Sequence, residues 1–177
     1  MNICIFCSAN NVPEKYNHAA REFVSLFAAK GHTLVWGGSN KGTMKIIADA
    51  AEAGGARTVG VTMELLKDNA RSNADEMLVM PTLGERKAKL LEKADVIVVL
   101  PGGTGTLDEI TEVLELKKHS LHDKPIVFLN TDHFYDGFKT QLERMENEGF
   151  LTRALSDFLF FAATPTEAMR YINEHGN

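Results

Sequence analysis

The sequence predicts an α/β protein with a doubly wound, Rossmann-like parallel sheet flanked by helices on both faces. Short apolar runs alternate with amphipathic segments along the chain. Several runs, such as residues 96–100, are continuously apolar, which is typical of strands that helices cover on both sides. Because helical segments separate the runs, we expect neighbouring strands to be parallel.

Seven apolar runs are the predicted strands. They cover residues 2–6, 33–36, 57–61, 76–80, 96–100, 125–129 and 158–161. In open parallel sheets, ligands bind beyond the carboxyl ends of the strands. The loops that follow these runs are therefore where a functional site is expected.

The segments between the strands carry helical patterns, predicted over residues 13–30, 43–53, 85–93, 106–118 and 135–148. Gly31, Gly54 and Gly149 follow three of them, as glycine often does at a helix end. A last helix is predicted to begin at Pro165 with Thr164 as its N-cap. The polar segment 63–75 lacks a strong period and is predicted to be a flap or a short helix.

The bulk composition is that of an ordinary globular protein. The chain has 177 residues, 44% of them hydrophobic, which suffices for one well-buried domain. Its formal charge of -5 predicts no global attraction to a nucleic acid polymer or to an anionic membrane. Since no repeat or linker interrupts the pattern, we predict a single domain over residues 1–177.

The beginning of the chain is apolar but reads as a first strand. No apolar stretch approaches the ~20 residues that a membrane-spanning helix needs. Residues 1–10 also lack the basic leader of a signal peptide. We therefore expect a cytoplasmic protein.

Two cysteines, Cys4 and Cys7, are spaced as C-x-x-C within the first strand region. Redox pairs with this spacing usually lie at a helix N-terminus, whereas residues three apart on a strand point to opposite faces. With no histidine nearby, the pair is also a poor zinc site. We predict two packed thiols and no metal site.

The stretch PGGTGTLDE, from Pro101 to Glu109, is the most informative in the chain. It follows the buried run at 96–100, and its glycines allow an open turn before a helix predicted to begin at Thr106. Free amides at a helix start attract anions, phosphate above all. The alternative is a turn that only reverses the chain direction, but the glycines and hydroxyls together favour a phosphate site.

Two charged residues are candidates for chemistry beside this turn. Glu109, predicted in the first helical turn, either stabilises the positive helix end or faces the phosphate. Asp108 is expected to serve the helix terminus. Arg86, near the start of the 85–93 helix, either lies on a solvated face or meets Glu109 where adjacent strand ends converge. His119, His122 and His133 lack further ligands nearby and are taken as structural or surface residues.

The sequence strongly resembles the LOG ("Lonely guy") family over nearly the whole chain. Residues 101–109 match the family signature PGGxGTxxE, and Glu85-Arg86-Lys87-Ala88 matches its arginine-lysine motif. Further matches are Cys7, the second glycine turn at 37–44, and residues 122–125, 148–150 and 165.

The resemblance implies a hydrolase that cleaves the N-glycosidic bond of adenosine 5'-monophosphate (AMP) or an N6-substituted AMP to free base and ribose 5-phosphate. The catalytic pair would be Arg86 and Glu109. It also implies a homodimer with sites near the subunit interface, and neither metal nor organic cofactor. The residues implied in substrate and phosphate binding are Gly102, Gly103, Thr104, Gly105, Thr106, Gly38, Ser39, Lys87 and Ser8.

The chemistry of the two residues agrees with that role. Breaking a ribosyl C–N bond builds positive charge on the sugar, which a carboxylate at Glu109 would stabilise. Arg86 stays protonated, so we assign it to holding the substrate and Glu109 rather than to proton transfer.

Several positions depart from the family pattern, and they line the expected nucleotide crevice. The second turn has Ser39 and Lys45 where the family often has glycine, and Ser8-Ala9-Asn10 replaces Gly-Ser-Ser. Leu83-Gly84 stands where Met-His is common. These departures leave the Arg86–Glu109 pair intact and bear on the preferred base.

Two other functions compete with the hydrolase. A binding protein on the same scaffold, such as a molybdenum-cofactor carrier-like protein, would hold a phosphorylated ligand without cleaving it. A lysine decarboxylase would need pyridoxal phosphate on a lysine, for which the chain offers no recognisable context. Retention of both Arg86 and Glu109 favours the enzyme.

Overall fold

A computed structural model, which describes residues 1–176, has one seven-stranded sheet in the order β4-β3-β2-β1-β5-β6-β7. Every strand pairing in it is parallel. The strands are β1 (Asn2–Phe6), β2 (Thr33–Trp36), β3 (Thr58–Met63), β4 (Glu76–Met80), β5 (Val96–Val99), β6 (Ile126–Leu129) and β7 (Phe160–Ala162). The predicted α/β class with a doubly wound parallel sheet is confirmed.

Within residues 1–176, seven α-helices connect or follow the strands. They are α1 (Glu14–Ala28), α2 (Gly42–Ala53), α3 (Leu83–Lys93), α4 (Thr104–Lys118), α5 (Asp136–Asn147), α6 (Leu155–Phe158) and α7 (Pro165–His175). The N-cap predicted for the last helix is confirmed, because the Thr164 hydroxyl accepts a hydrogen bond from the Glu167 amide at 3.2 Å.

The helices form a layer on each face of the sheet because alternate strand residues point to opposite sides. Buried residues of α1, α2 and α7 pack with Ile3, Ile5 and Trp36 on one face. Buried residues of α3, α4 and α5 pack with Phe6 and Val35 on the other. Cys4 and Cys7 fall in different cores, and both are buried free thiols, as the sequence predicted.

The strand order reverses between β1 and β5, so the loops that leave these two strands diverge. The two strands stay paired to their carboxyl ends, where the Leu100 amide donates to the Phe6 carbonyl at 3.0 Å. A crevice at such a switch point is where open α/β sheets bind ligands. The fold therefore places the loop after β1 and the loop after β5 around one crevice.

Two local predictions need correction, and the structure decides a third that was left open. Helix α4 begins at Thr104 rather than Thr106, so Glu109 lies in the second turn and not in the first. The strand predicted over 158–161 begins only at Phe160, because residues Leu155–Phe158 form α6, whose Leu155 amide donates to Glu146 Oε1 at 2.7 Å. Of the two possibilities for segment 63–75, the short helix is the observed one, a 3₁₀ helix over Glu64–Asn69.

No helix within residues 1–176 is long and apolar enough to span a bilayer.

Candidate active site

A crevice of about 350 Å³ opens at the carboxyl ends of β1 and β5. It contains most of the residues that the sequence singled out. The lining residues are Cys7, Ser8, Ala9, Asn10, Met44, Leu66, Leu83, Arg86, Gly103, Thr104, Gly105, Thr106, Asp108 and Glu109.

One wall of the crevice is the N-terminus of α4, with Gly103 as its N-cap. The helix bonds start with the Leu107 amide donating to the Gly103 carbonyl at 3.1 Å, and helix geometry gives the amides of residues 104–106 no intrahelical acceptor. Such amides, at the positive end of a 15-residue helix, suit a phosphate.

Two contacts hold this wall in place. The Tyr135 hydroxyl donates to the Leu100 carbonyl at 2.7 Å. The buried Thr106 side chain packs so closely on Gly102 that a Cβ there would overlap it, at less than the 3.0 Å of any ordinary Cβ contact. Gly102 thus supports the wall by packing and lies outside the crevice lining.

Arg86 and Glu109 form a buried ion pair at the floor of the crevice. Arg86 Nη1 donates to Glu109 Oε1 at 2.7 Å, and Arg86 Nε donates to the Val61 carbonyl at 2.9 Å. Each side chain is only 7% exposed. The convergence of α3 and α4 that the sequence suggested therefore occurs, and the second guanidinium bond fixes the direction in which Arg86 points.

Burial raises the pKa of Glu109 above its ordinary value, and the charge of Arg86 opposes that rise. Burial raises the pKa of Cys7, a neighbour in the lining, as well. Glu109 is therefore a desolvated carboxylate whose charge one guanidinium sustains. Such a group interacts strongly with positive charge that develops nearby.

Gly37, which follows β2, supports Arg86 from its other side. A Cβ at this position would overlap Arg86 Nη2 and would lie 2.9 Å from Met44 Cε. Only a residue without a side chain fits here while Arg86 keeps its place.

Lys87 is placed differently from Arg86. Its Nζ lies 3.0 Å from Asp108 Oδ2 and also pairs with Glu112, and the side chain lies outside the crevice lining. Lys87 therefore joins α3 to α4 beside the Arg86–Glu109 pair. Asp108, expected at the helix terminus, instead accepts this lysine, and the role of Lys87 in substrate binding stays a prediction.

Gly38 and Ser39 lie in the turn between β2 and α2, outside the crevice lining. The Gly38 carbonyl accepts the Arg71 amide at 2.8 Å, and the Ser39 carbonyl accepts Trp36 Nε1 at 3.4 Å. Their predicted contact with substrate stays a prediction, and the structure shows their carbonyls engaged within the protein.

Ser8, in contrast, lies in the lining on the loop after β1. Its Oγ accepts the Asn10 amide at 3.0 Å, and its carbonyl accepts the Met44 amide at 3.1 Å. The second bond ties this loop to the start of α2. Ser8 thus faces α4 across the crevice.

Three apolar residues of the lining, Met44, Leu66 and Leu83, did not stand out as site residues in the sequence. They come from α2, the 3₁₀ helix and the start of α3. Met44 and Leu83 each had a signal, since Met44 ends the glycine turn that matches the family pattern and Leu83 lies where the sequence departs from it. The crevice thus has helix amides on one side and apolar side chains on the other, which suits a ligand with a phosphate and an apolar part.

Within residues 1–176, no three His, Cys, Asp or Glu residues are grouped as a metal site requires. His119 and His122 interact locally, with Glu115 Oε1 at 3.0 Å and with the Val113 carbonyl at 2.9 Å.

Comparison with known proteins places this geometry in context. Residues 44–172 match a family model described as "possible lysine decarboxylase". A cytokinin riboside 5'-monophosphate phosphoribohydrolase of Mycobacterium tuberculosis is 33% identical, over 95% of this chain and 91% of its own length. The enzyme of the same name, LOG, from Oryza sativa subsp. japonica is 32% identical, over 98% of this chain and 73% of its own length.

Solved structures show the same fold at lower identity. The molybdenum cofactor carrier protein of Chlamydomonas reinhardtii superposes with a TM-score of 0.75 at 22% identity, over 98% of this chain and 95% of that one. The molybdenum cofactor binding protein of Rippkaea orientalis also has a TM-score of 0.75, at 20% identity with the same coverage. At these identities the likeness concerns the fold alone.

Proposed function

Because the chain belongs to the LOG family, we propose that it hydrolyses the N-glycosidic bond of AMP or of an N6-substituted AMP. The products are the free base and ribose 5-phosphate. The observation that carries the proposal is the buried Arg86–Glu109 pair, which opens into the same crevice as the first amides of α4.

The two sides of the crevice bind opposite ends of the substrate. The amides of residues 104–106 and the hydroxyl of Thr106 hold the 5'-phosphate. The ribose then lies over Glu109, and the base extends toward the apolar side chains of Met44, Leu66 and Leu83. Phosphate binding, remote from the scissile bond, orients the reacting carbon.

Glu109 acts on the sugar as the bond from C1' to the base nitrogen breaks. Its carboxylate stabilises the positive charge on the ribose ring and accepts a proton from the attacking water. The water oxygen bonds to C1', and the departing base takes up a proton from solvent. Arg86 holds Glu109 in place and keeps it ionised, since a guanidinium does not act as an acid at neutral pH.

The test is to incubate the protein with a panel of nucleoside 5'-monophosphates and to measure the released base by chromatography. We expect release from AMP or its N6-substituted forms. Glu109→Gln should lower kcat by about 10²–10³-fold, because it removes the charge opposite the ribosyl cation. AMP affinity, measured by calorimetry, should stay within about threefold, since the phosphate wall is unchanged.

Asp108→Asn is the matched control. Asp108 precedes Glu109 on the same helix and lines the same crevice, but its carboxylate pairs with Lys87. Asp108→Asn should leave kcat within about threefold of the wild type, because the Asp108 side chain touches no reacting atom in the proposed geometry. Equal losses in both variants would contradict the role of Glu109.

The pH dependence gives an independent test. The active form needs Glu109 as a carboxylate, so kcat/KM should fall as the pH drops through its pKa. Burial raises that pKa, so the acidic limb should lie above the ordinary glutamate value. Glu109→Gln should lose this limb. A protein that binds AMP tightly and releases base from none of the nucleotides would instead be a carrier.

We also propose that the protein forms a homodimer. An apolar groove of about 270 Å³ runs between α4 and α5, with Leu114, Phe138 and Met145 among its lining residues. Leu114 is half-buried against the core, whereas Thr111 and Glu115 of the same lining are exposed on α4, the helix whose exposed face the sequence suggested for a dimer contact. Light scattering on the purified protein would measure the mass, and a monomer at assay concentration would overturn this part.

A further inference from the structure

Arg71 is a buried arginine outside the crevice, and its guanidinium contacts acceptors on two elements. Nε and Nη2 donate to the two carboxylate oxygens of Glu52, both at 2.7 Å. Nη1 lies 2.7 Å from Asp49 Oδ1 and donates to Asn40 Oδ1 at 3.1 Å. With a side-chain exposure of 7%, Arg71 is joined to α2 through Asp49 and Glu52, and to the β2–α2 turn through Asn40.

The backbone around Arg71 is joined to the same turn. We call residues 64–71, which include the 3₁₀ helix, the strap, and residues 37–41 the β2–α2 turn. Ser39 and Ala70 form an antiparallel bridge. The Arg71 amide donates to the Gly38 carbonyl, and the Asn40 amide donates to the Asn69 carbonyl, both at 2.8 Å.

Both segments that Arg71 joins contribute to the crevice. At one end of the β2–α2 turn, Gly37 packs directly on the Arg86 guanidinium. The strap brings Leu66 into the lining. A displacement of the turn would therefore release Arg86, and a displacement of the strap would open the apolar side.

We propose that Arg71 is a positioning residue for the reaction, holding the β2–α2 turn and the strap so that Arg86 stays paired with Glu109 and Leu66 stays against the substrate. This inference rests on the proposed hydrolase function. Arg71 touches no reacting atom, and it acts through the two segments it holds.

The geometry requires arginine rather than any cation. A guanidinium donates two parallel bonds to one carboxylate and keeps further N–H groups for other acceptors. The lysine ammonium is a compact point charge that cannot make the fork to Glu52 and also reach Asp49 and Asn40. Arg71→Lys therefore keeps the positive charge but loses the simultaneous bonds to Glu52, Asp49 and Asn40.

The closing experiment compares Arg71→Lys and Glu52→Gln with the wild type by hydrogen exchange and by kinetics. We expect faster exchange in residues 37–41 and 64–71, where the bridging amides of Asn40 and Arg71 lie. We expect kcat/KM for AMP to fall by about 10- to 100-fold, as a small misplacement of catalytic groups does.

The pH profile separates positioning from simple destabilisation. Glu109 is faced by Arg86 and Lys87 from α3, by Asp108 on its own helix, and by the β1-side thiols Cys4 and Cys7. If Arg86 moves away from Glu109, its charge offsets the effect of burial less, and the pKa of Glu109 rises further. The acidic limb of kcat/KM then moves to higher pH. A variant that is only less stable keeps the wild-type limb when assayed below its melting temperature.

Arg57→Gln is the matched control. Arg57 also forms an arginine–glutamate pair, to Glu76 Oε2 at 2.7 Å, but it precedes β3 at the opposite end of the sheet and is 60% exposed. This variant should show wild-type exchange in both segments and a wild-type pH limb. The inference is overturned if exchange in either segment is unchanged in Arg71→Lys, or if its kcat/KM falls no further than in the control.

Failure of the proposed function has a different signature. A wild type that releases no base from any nucleotide refutes the hydrolase, and the exchange of the two segments then decides the role of Arg71 alone. If the wild type is active and Arg71→Lys has the same activity and the same hydrogen exchange in both segments, the positioning role is refuted. The hydrolase function is then unaffected.

Discussion

Two glycine turns of this protein look alike in sequence but differ in what their backbone groups bind. The β5–α4 turn is residues 100–103, and the β2–α2 turn is residues 37–41. Each turn follows a buried strand and precedes a helix. The β5–α4 turn presents helix amides to the crevice. The β2–α2 turn uses its polar backbone within the protein, since Gly38 and Asn40 bond to the strap.

The difference lies in what packs behind each turn. The Thr106 side chain packs on Gly102, and Tyr135 bonds to the Leu100 carbonyl, so neither contact uses the amides at the start of α4 and these stay available. At the start of α2, the Met44 amide is already bonded to the Ser8 carbonyl at 3.1 Å. Glycine after a strand therefore indicates close packing, and whether an anion binds depends on which amides the surrounding loops leave free.

The largest effect should come from the β5–α4 turn. Gly102→Ala puts a Cβ into the space of the buried Thr106 side chain, so the start of α4 must shift. We expect kcat/KM for AMP to fall about 100-fold, because phosphate binding and orientation are both lost. Calorimetry with AMP should show the weaker affinity. Affinity and rate at wild-type level would mean that the turn has no part in binding phosphate.

A smaller and different effect is expected from Gly37→Ala in the β2–α2 turn. The added Cβ overlaps Arg86 Nη2 and displaces the guanidinium from Glu109. We expect kcat to fall about tenfold or more while AMP affinity stays near wild type, since the amides of α4 are untouched. A loss of affinity with kcat unchanged would indicate that this turn, too, binds the phosphate.

Gly38→Ala should affect stability more than catalysis. Gly38 has a φ of +75°, in the left-handed region, where a side chain costs about 1–2 kcal/mol. Thermal unfolding should show that loss, and kcat/KM should fall by less than in Gly37→Ala, because Gly37 and not Gly38 packs on Arg86. Gly31→Ala is the control. Gly31 has a φ of +73° and open space around it, so the stability loss in this variant measures the backbone cost alone. A much larger loss of activity than of stability would place Gly38 in the binding site.

The smallest effect is expected from Lys87→Gln. If the amides of the β5–α4 turn and α4 hold the phosphate, this nearby cation should be dispensable, since its ammonium is engaged with Asp108 and Glu112. We expect a stability loss of about 0.2–1 kcal/mol and AMP affinity within about threefold. Affinity reduced more than tenfold would restore Lys87 to the substrate-binding residues.

Local patterns in the sequence were sufficient for the fold and for the main site elements. Continuous apolar runs between helical segments predicted the doubly wound sheet, and the stretch PGGTGTLDE predicted the turn and helix beside the crevice. The misplaced start of α4 and the helix at Leu155–Phe158 are boundary errors. They arise because a first helical turn, or a single short one, depends on contacts such as that of Glu146 with Leu155.

The sequence by itself therefore determined the class of fold and the burial of the two cysteines, because both follow from local periodicity. The rule for strand ends offered the approach of Arg86 to Glu109 as one of two alternatives, and the structure shows the pair. Only the tertiary structure decided which glycine turn has available amides, that Lys87 is paired, and that Arg71 joins α2, the strap and the β2–α2 turn. The physical reason is that a hydrogen-bonding group is satisfied by whichever partner the chain brings to it, and those partners lie up to 31 residues away along the chain.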